Sequence, residues 1–235
     1  MSMTAAFSLG YQPRAMVAHM KMNSAVIAAT VAASALGSIA IAAVPLAQQW
    51  EIGPIIRGKN YSVGMPLQPV ATPKGWYFDF PHNSRADGHV HYVTFAPGSL
   101  AGKSQIVVRY KVTAARGTRF VPQEHPELPG AVSLFFQRRG DTWSAKGRYE
   151  HYRWYAPSHA VQNIAPGVHQ MTVSLRDPEW ISVFGKNPSE NPAAYAAALR
   201  DTDRLGLVFG STAARGHGVF ATAPARFELL SFVVE

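Results

Sequence analysis

Residues 135–155 hold seven of the chain's 26 Phe, Tyr and Trp residues: Phe135, Phe136, Trp143, Tyr149, Tyr152, Trp154 and Tyr155. Arg138, Arg139, Lys146, Arg148 and Arg153 are interleaved with them. Trp and Tyr present a flat apolar face with a polar edge. The C–H face of a pyranose ring can stack on such a surface while Arg and Asp bond its hydroxyls. Read as an alternating strand, residues 148–155 place Tyr149, His151, Arg153 and Tyr155 on one face, and Arg148, Glu150, Tyr152 and Trp154 on the other. One face would feed a core and the other would line a groove. The candidate ligand-binding residues are therefore Trp143, Arg148, Tyr149, Tyr152, Arg153, Trp154 and Tyr155. The competing reading is that these rings are sheet packing, since strands favour aromatic residues in any case.

Two further constellations carry chemistry. His89 and His91 stand at i and i+2 on one strand, a spacing at which two imidazoles can ligate one metal ion. Copper or zinc would need a third ligand, and no spacing marks one. Thr94, Phe95 and Ala96 occupy the downstream positions where a carboxylate would complete a cupin-type set. Eliminative cleavage of an acidic polysaccharide needs a group to neutralise a uronate carboxylate, a base, and a Tyr or His acid. His91, Arg109, Tyr149 and His151 are the residue types for that work.

Other signals are weaker. Arg139-Gly140-Asp141 reads as a tight turn between strands. No Gly-x-Ser-x-Gly elbow, phosphate-binding glycine loop or nucleic-acid motif is present. The chain contains no cysteine, which excludes disulfide scaffolds, Cys-ligated metal centres and thiol catalysis.

The elements that must position these residues are short strands. Period-2 alternation with one apolar face recurs at 76–80, 88–95, 105–112, 131–137, 148–155, 169–175, 205–209 and 226–234. Pro-Gly pairs at 97–98, 129–130 and 166–167, with Gly216 and Gly218, punctuate the gaps. One short helix is predicted near 191–201: Asn191 offers an N-cap, Pro192 a first-turn proline, and 193–200 are good helix formers. This pattern predicts an all-β fold, an antiparallel two-sheet jelly-roll sandwich with one helix; a barrel is the alternative.

Residues 1–47 differ from the rest. They contain no acid and two basic residues, Arg14 and Lys21. Residues 25–47 are uncharged and rich in Ala, Val and Ile. A basic start, an apolar stretch and small residues near 40–47 predict a signal peptide, and hence a periplasmic or secreted protein. The alternative is an uncleaved membrane anchor through 25–47 facing the periplasm. Met20-Lys21-Met22 reads like a natural start, so 1–19 are predicted to be an upstream extension. Residues 48–235 form the single predicted domain. Setting Arg14 and Lys21 aside leaves 20 Lys+Arg against 14 acids, so the formal charge falls from +8 to +6. That charge admits a polyanionic partner but contains no basic run of the nucleic-acid type.

The strands at 104–112 and 226–234, with Asp203-Arg204-Leu205-Gly206-Leu207-Val208-Phe209-Gly210, give the chain a resemblance to a known group. It resembles the galactose-binding-like, carbohydrate-binding-module-like jelly-roll domains of exported bacterial proteins, over most of 50–235. The resemblance implies a non-catalytic sugar binder, in some cases with a structural calcium ion. The stretch Lys146-Gly147-Arg148-Tyr149-Glu150-His151 is also similar to an alginate-lyase strand, but the Arg-rich strand and the Gln-x-His strand of those enzymes are absent. The sequence therefore predicts an exported protein that binds carbohydrate or a cell-envelope glycan. A lyase using His91, Arg109, Tyr149 and His151, and a structural envelope protein, are the alternatives.

Overall fold

A computed structural model describes residues 45–235. The predicted export segment, all but its last three residues, lies outside the described residues. No helix among the described residues is long and apolar enough to cross a membrane.

The strands run β1 (Trp50–Gly53), β2 (Ile55–Ile56), β3 (Lys59–Asn60), β4 (Val70–Thr72), β5 (Gly75–Asp79), β6 (Tyr92–Phe95), β7 (Gln105–Ala114), β8 (Phe120–Pro122) and β9 (Ala131–Arg138). They continue with β10 (Arg153–Tyr155), β11 (Gln162–Asn163), β12 (Gly167–Ser174), β13 (Ile181–Ser182), the helix α1 (Pro192–Arg200), β14 (Thr202–Gly210), β15 (Val219–Ala221) and β16 (Ala225–Val234). A seven-stranded sheet has the order β1-β6-β14-β9-β10-β13, with β11 also pairing β9. A five-stranded sheet has the order β12-β7-β16-β5-β4. Two small ribbons, β2/β3 and β8/β15, complete an antiparallel β-rich fold.

The two large sheets share one hydrophobic core. On β7, Ile106, Val108, Tyr110 and Val112 are buried while Arg109 and Lys111 are exposed, which is the alternation read from the sequence. Ring contacts cross between the sheets. Trp50 of β1 meets Trp76 of β5 at 4.9 Å, and Phe209 of β14 meets Phe227 of β16 at 5.4 Å. Without disulfides, burial of this apolar surface must carry the stability. Four of the five tryptophans, Trp50, Trp76, Trp154 and Trp180, are fully buried. Trp143 is the exception, which separates it from the packing role.

The core extends N-terminal to β1. Ala47 is buried in it, and the Trp50 indole N–H donates to the Pro45 carbonyl at 3.1 Å. Helix α1 forms where predicted and lays Tyr195 against Trp154 and Phe136. Asn191 makes no side-chain cap; its carbonyl instead accepts the Tyr195 N–H at 3.0 Å.

The predicted strand over 148–155 is a correction. Only 153–155 is strand, and 147–149 is a single 3-10 turn. The cause is local backbone: the 3-10 turn ends with Glu150 at φ −56°, ψ −32°, and the Tyr152 N–H returns to the Tyr149 carbonyl at 3.3 Å. Such a turn coils the chain out of the sheet and cannot extend β10 backwards. The shared face expected for Tyr149, His151, Arg153 and Tyr155 is therefore reduced to Arg153 and Tyr155.

Candidate functional site

The face of the seven-stranded sheet turned away from the core is not plain solvent surface. Register fixes what it carries. Val208 of β14 lies opposite Tyr92 of β6 and Ser133 of β9. Phe135 lies opposite Gly206 and Tyr155, and Gln137 opposite Arg204 and Arg153. Tyr92, Phe135, Tyr155 and Val208 form a second hydrophobic cluster, joined by Trp143, Ile181 and Val183.

The loop after β9 folds back over this cluster. Gly140, at φ 79°, turns the chain. Asp141 then accepts the Gln137 amide N–H at 2.8 Å and the Trp143 backbone N–H at 3.1 Å. This Asx-type turn aims Trp143 at the sheet. Its ring meets Tyr92 at 5.3 Å, and the Arg153 guanidinium stands 4.9 Å from it. Arg153 Nε lies 2.9 Å from Asp141 Oδ2, with the two side chains 8% and 0% exposed. The contact is an ion pair at imperfect angle, because Arg153 Nε and Nη2 have no geometrically good hydrogen bond among the described residues. The Arg-Gly-Asp sequence is thus a structural turn whose carboxylate faces inward.

Tyr92 and Tyr155 join hydroxyls at 3.0 Å. Burial raises both phenols above their ordinary pKa, so each keeps its proton. His91 sits at one end of the same face. Its Nδ1 lies 2.8 Å from the Gly216 carbonyl, which can only accept, so Nδ1 carries the proton and Nε2 is the free acceptor. Burial lowers the His91 pKa to about 4, against the Gly216 bond, with His89 and His217 adding to the fall. Gly216, at φ 75°, passes so close to the Tyr92 phenol that a β-carbon would strike it. A β-carbon on Gly218 would meet His91 Nε2 at 2.7 Å and Gln123 Oε1 at 3.0 Å.

These groups line a cleft of about 510 Å³ bounded by Pro54, Tyr61, His91, Tyr92, Gln123, Trp143, Arg153, Tyr155 and His217. A smaller pocket of about 160 Å³ shares Pro54, Tyr92 and Trp143 and adds Glu51, Thr94, Gln137 and Arg204. A third, of about 330 Å³, shares Tyr155, Val183 and His217 and adds Ser158, Thr212 and Arg215. Together they make a groove across the sheet, with aromatic surface on its floor and hydrogen-bonding groups along its walls.

Of the residues singled out from the sequence, Trp143, Arg153 and Tyr155 come together in this groove. Trp154 points the other way: it is fully buried in the core and donates its indole N–H to the His151 carbonyl at 2.9 Å. Arg148 is exposed and stacks on its own neighbour, Tyr149, whose hydroxyl accepts from it at 2.7 Å. Tyr149 and Tyr152 pack on each other at 5.1 Å and do not line the groove. The four residues of the eliminative set are not assembled. His91 lines the cleft, Arg109 projects from the far side of the five-stranded sheet, and His151 lines a separate pocket with Glu150, Phe184, Lys186 and Asn191.

His89 and His91 do approach each other, with ring centroids 4.7 Å apart. Among the described residues no group of three or more His, Cys, Asp or Glu is arranged to hold a metal ion. Among those residues the histidine pair has no third ligand, and no carboxylate cage stands ready for the calcium that the resemblance admits.

Several groove residues escaped sequence reading: Tyr92, Gln123, Asp141, Arg204, Arg215 and His217. Gly216 and Gly218 bracketing His217 were the one available signal, since paired glycines allow a backbone to pass close over other side chains.

Fold and site define a β-sandwich-like protein with an open aromatic groove on one sheet. No protein-family model and no curated protein matches the chain.

Proposed function

We propose that this protein is an exported, non-catalytic sandwich of jelly-roll type that binds a glycan, such as a cell-envelope polysaccharide, along the groove of the seven-stranded sheet. Export rests on the composition of residues 25–47. The observation that carries the binding reading is Trp143: the one tryptophan outside the core, held over the sheet by Asp141 and flanked by the Arg153 guanidinium. A sugar offers an apolar ring face to Trp143, with hydroxyls for the polar groups along the walls. The open shape fits a chain that enters and leaves the groove better than an enclosed small molecule.

The chemistry of the groove favours binding over turnover. At neutral pH the His91 ring is neutral with a pKa of about 4, and both tyrosines hold their protons firmly. A base so weak and acids so reluctant are poorly matched to proton transfer near pH 7. The test is polysaccharide affinity electrophoresis or a glycan array with wild-type protein and Trp143→Ala. Binding by the wild type that disappears in the variant, with an unchanged circular dichroism spectrum, is the expected result. Equal binding by both proteins would refute the groove assignment.

A further inference from the structure

The charged residues along the groove are largely paired. Glu51 meets Arg204 at 3.3 Å, Asp141 meets Arg153 at 2.9 Å, and Glu124 meets His217 at 3.0 Å. Arg215 is different. Its guanidinium donates to the Ala156 carbonyl and, at 2.9 Å, to the Ser158 hydroxyl. Both acceptors are neutral, and no carboxylate pairs with it among the described residues. A guanidinium has five N–H donors, so three remain.

Burial pulls the Arg215 pKa down, which marks a charge held partly out of water without compensation. The group is nevertheless fixed. Ala156 and Ser158 follow β10 directly, and Ala214 N–H donates to Ser211 Oγ at 3.0 Å, closing the loop that carries Arg215. A fixed, partly desolvated guanidinium is preorganised for an anion. Its planar fork matches a carboxylate, which can accept two parallel N–H bonds.

The position of Arg215 also matters. It lines the pocket of about 330 Å³ that continues the main cleft through Tyr155, Val183 and His217. A chain lying over Trp143 and Tyr155 would carry its next sugar into that pocket.

We propose that the bound glycan is acidic, and that a uronate carboxylate docks on Arg215 at the Ser158 end of the groove. This rests on the glycan-binding reading above. The neutral part of each sugar lies over Trp143 and Tyr155, and the carboxylate supplies the countercharge that the protein withholds from Arg215. Specificity for uronates would then come from a residue on the 211–218 loop, and ring stacking from Trp143 on the loop after β9 and Tyr155 of β10.

The experiment is calorimetric titration with oligogalacturonate, oligoalginate and hyaluronan fragments, each paired with its methyl ester. The ester keeps the sugar and removes the charge. Wild-type protein is expected to bind at least one acid about tenfold or more tighter than its ester, as a charge-assisted pair would give. Arg215→Gln is expected to abolish that preference, so that acid and ester bind with equal affinity. Thr212→Glu, which places a competing carboxylate in the same pocket with Arg215 intact, is expected to abolish it too. Equal affinity for acid and ester in the wild type, lost in Trp143→Ala, would overturn the acidic subsite and leave the glycan reading standing. Absence of binding to every oligomer would overturn both. A preference that survives Arg215→Gln in a folded variant would overturn the assignment to Arg215.

Discussion

The hydroxyls of Tyr92 and Tyr155 meet at 3.0 Å although β14 and β9 lie between their strands. Phe135, on β9, contacts both rings, at 4.9 and 5.2 Å. The two phenols lean over it and close the floor of the groove. Each hydroxyl is buried, so each depends on the other. Tyr92→Phe or Tyr155→Phe alone is expected to cost about 1–3 kcal/mol, because the surviving hydroxyl loses its partner. The double variant should cost less than the sum of the two. Urea unfolding of the four proteins forms the cycle that measures this; strict additivity would mean that the hydroxyls do not interact.

Trp143 and Trp154 should behave oppositely, despite lying eleven positions apart in one aromatic stretch. Trp154→Ala empties a fully buried site beside Tyr195 and is expected to cost about 3–5 kcal/mol of stability. Trp143→Ala removes a half-buried ring from the groove wall. Its thermal unfolding should shift far less, while glycan affinity falls more than about tenfold, the loss expected of a central aromatic anchor. Melting curves and binding isotherms on the same two variants separate the roles.

The Arg153–Asp141 pair is sealed, at 8% and 0% side-chain exposure. Asp141→Ala leaves a buried guanidinium without countercharge and breaks the turn that seats Trp143. A loss of about 3–5 kcal/mol is expected. Removing both charges, as in Asp141→Asn with Arg153→Met, should restore much of the stability but not the binding. Denaturant midpoints decide the first point; an Asp141→Ala protein as stable as wild type would show the pair to be idle.

Acid should weaken the fold through His91. Its folded pKa is about 4 against an ordinary value of 6.5, so the unfolded chain takes up a proton that the folded one refuses. The resulting stabilisation is complete above about pH 6.5 and is lost progressively as pH falls to 4, amounting to roughly 3 kcal/mol for a shift of this size. His89 is shifted in the same direction, also mainly by burial. Urea titrations at pH 7, 5.5 and 4 should show a steeper loss in wild type than in His91→Gln; parallel slopes would remove His91 as the cause.

Much of the β-rich framework was legible in the residue pattern. Alternation at 105–112 and 169–175, and the helix signals around Pro192, act over a few residues and survive in the structure as β7, β12 and α1. Strands β1, β8, β13 and β15 were missed because they are two to four residues long, too short for a period to show. The stretch at 148–155 misled because aromatic alternation was read through a segment whose backbone coils into a 3-10 turn at Gly147–Tyr149.

By itself the sequence determined the β class, the helix after Asn191, the inward faces of the long strands and the concentration of aromatic and basic side chains near 135–155. Those are consequences of local period and composition. The tertiary structure alone decided that Trp154 serves the core and Trp143 the groove. It alone brought His91, Gln123, Trp143, Arg153, Tyr155 and Arg215 onto one face. The reason is physical: which side of a strand is core depends on what the opposite sheet presents. The groove walls are loops whose approach is set by long-range contacts, such as His91 to Gly216 and Arg215 to Ser158. No period in the chain encodes those distances.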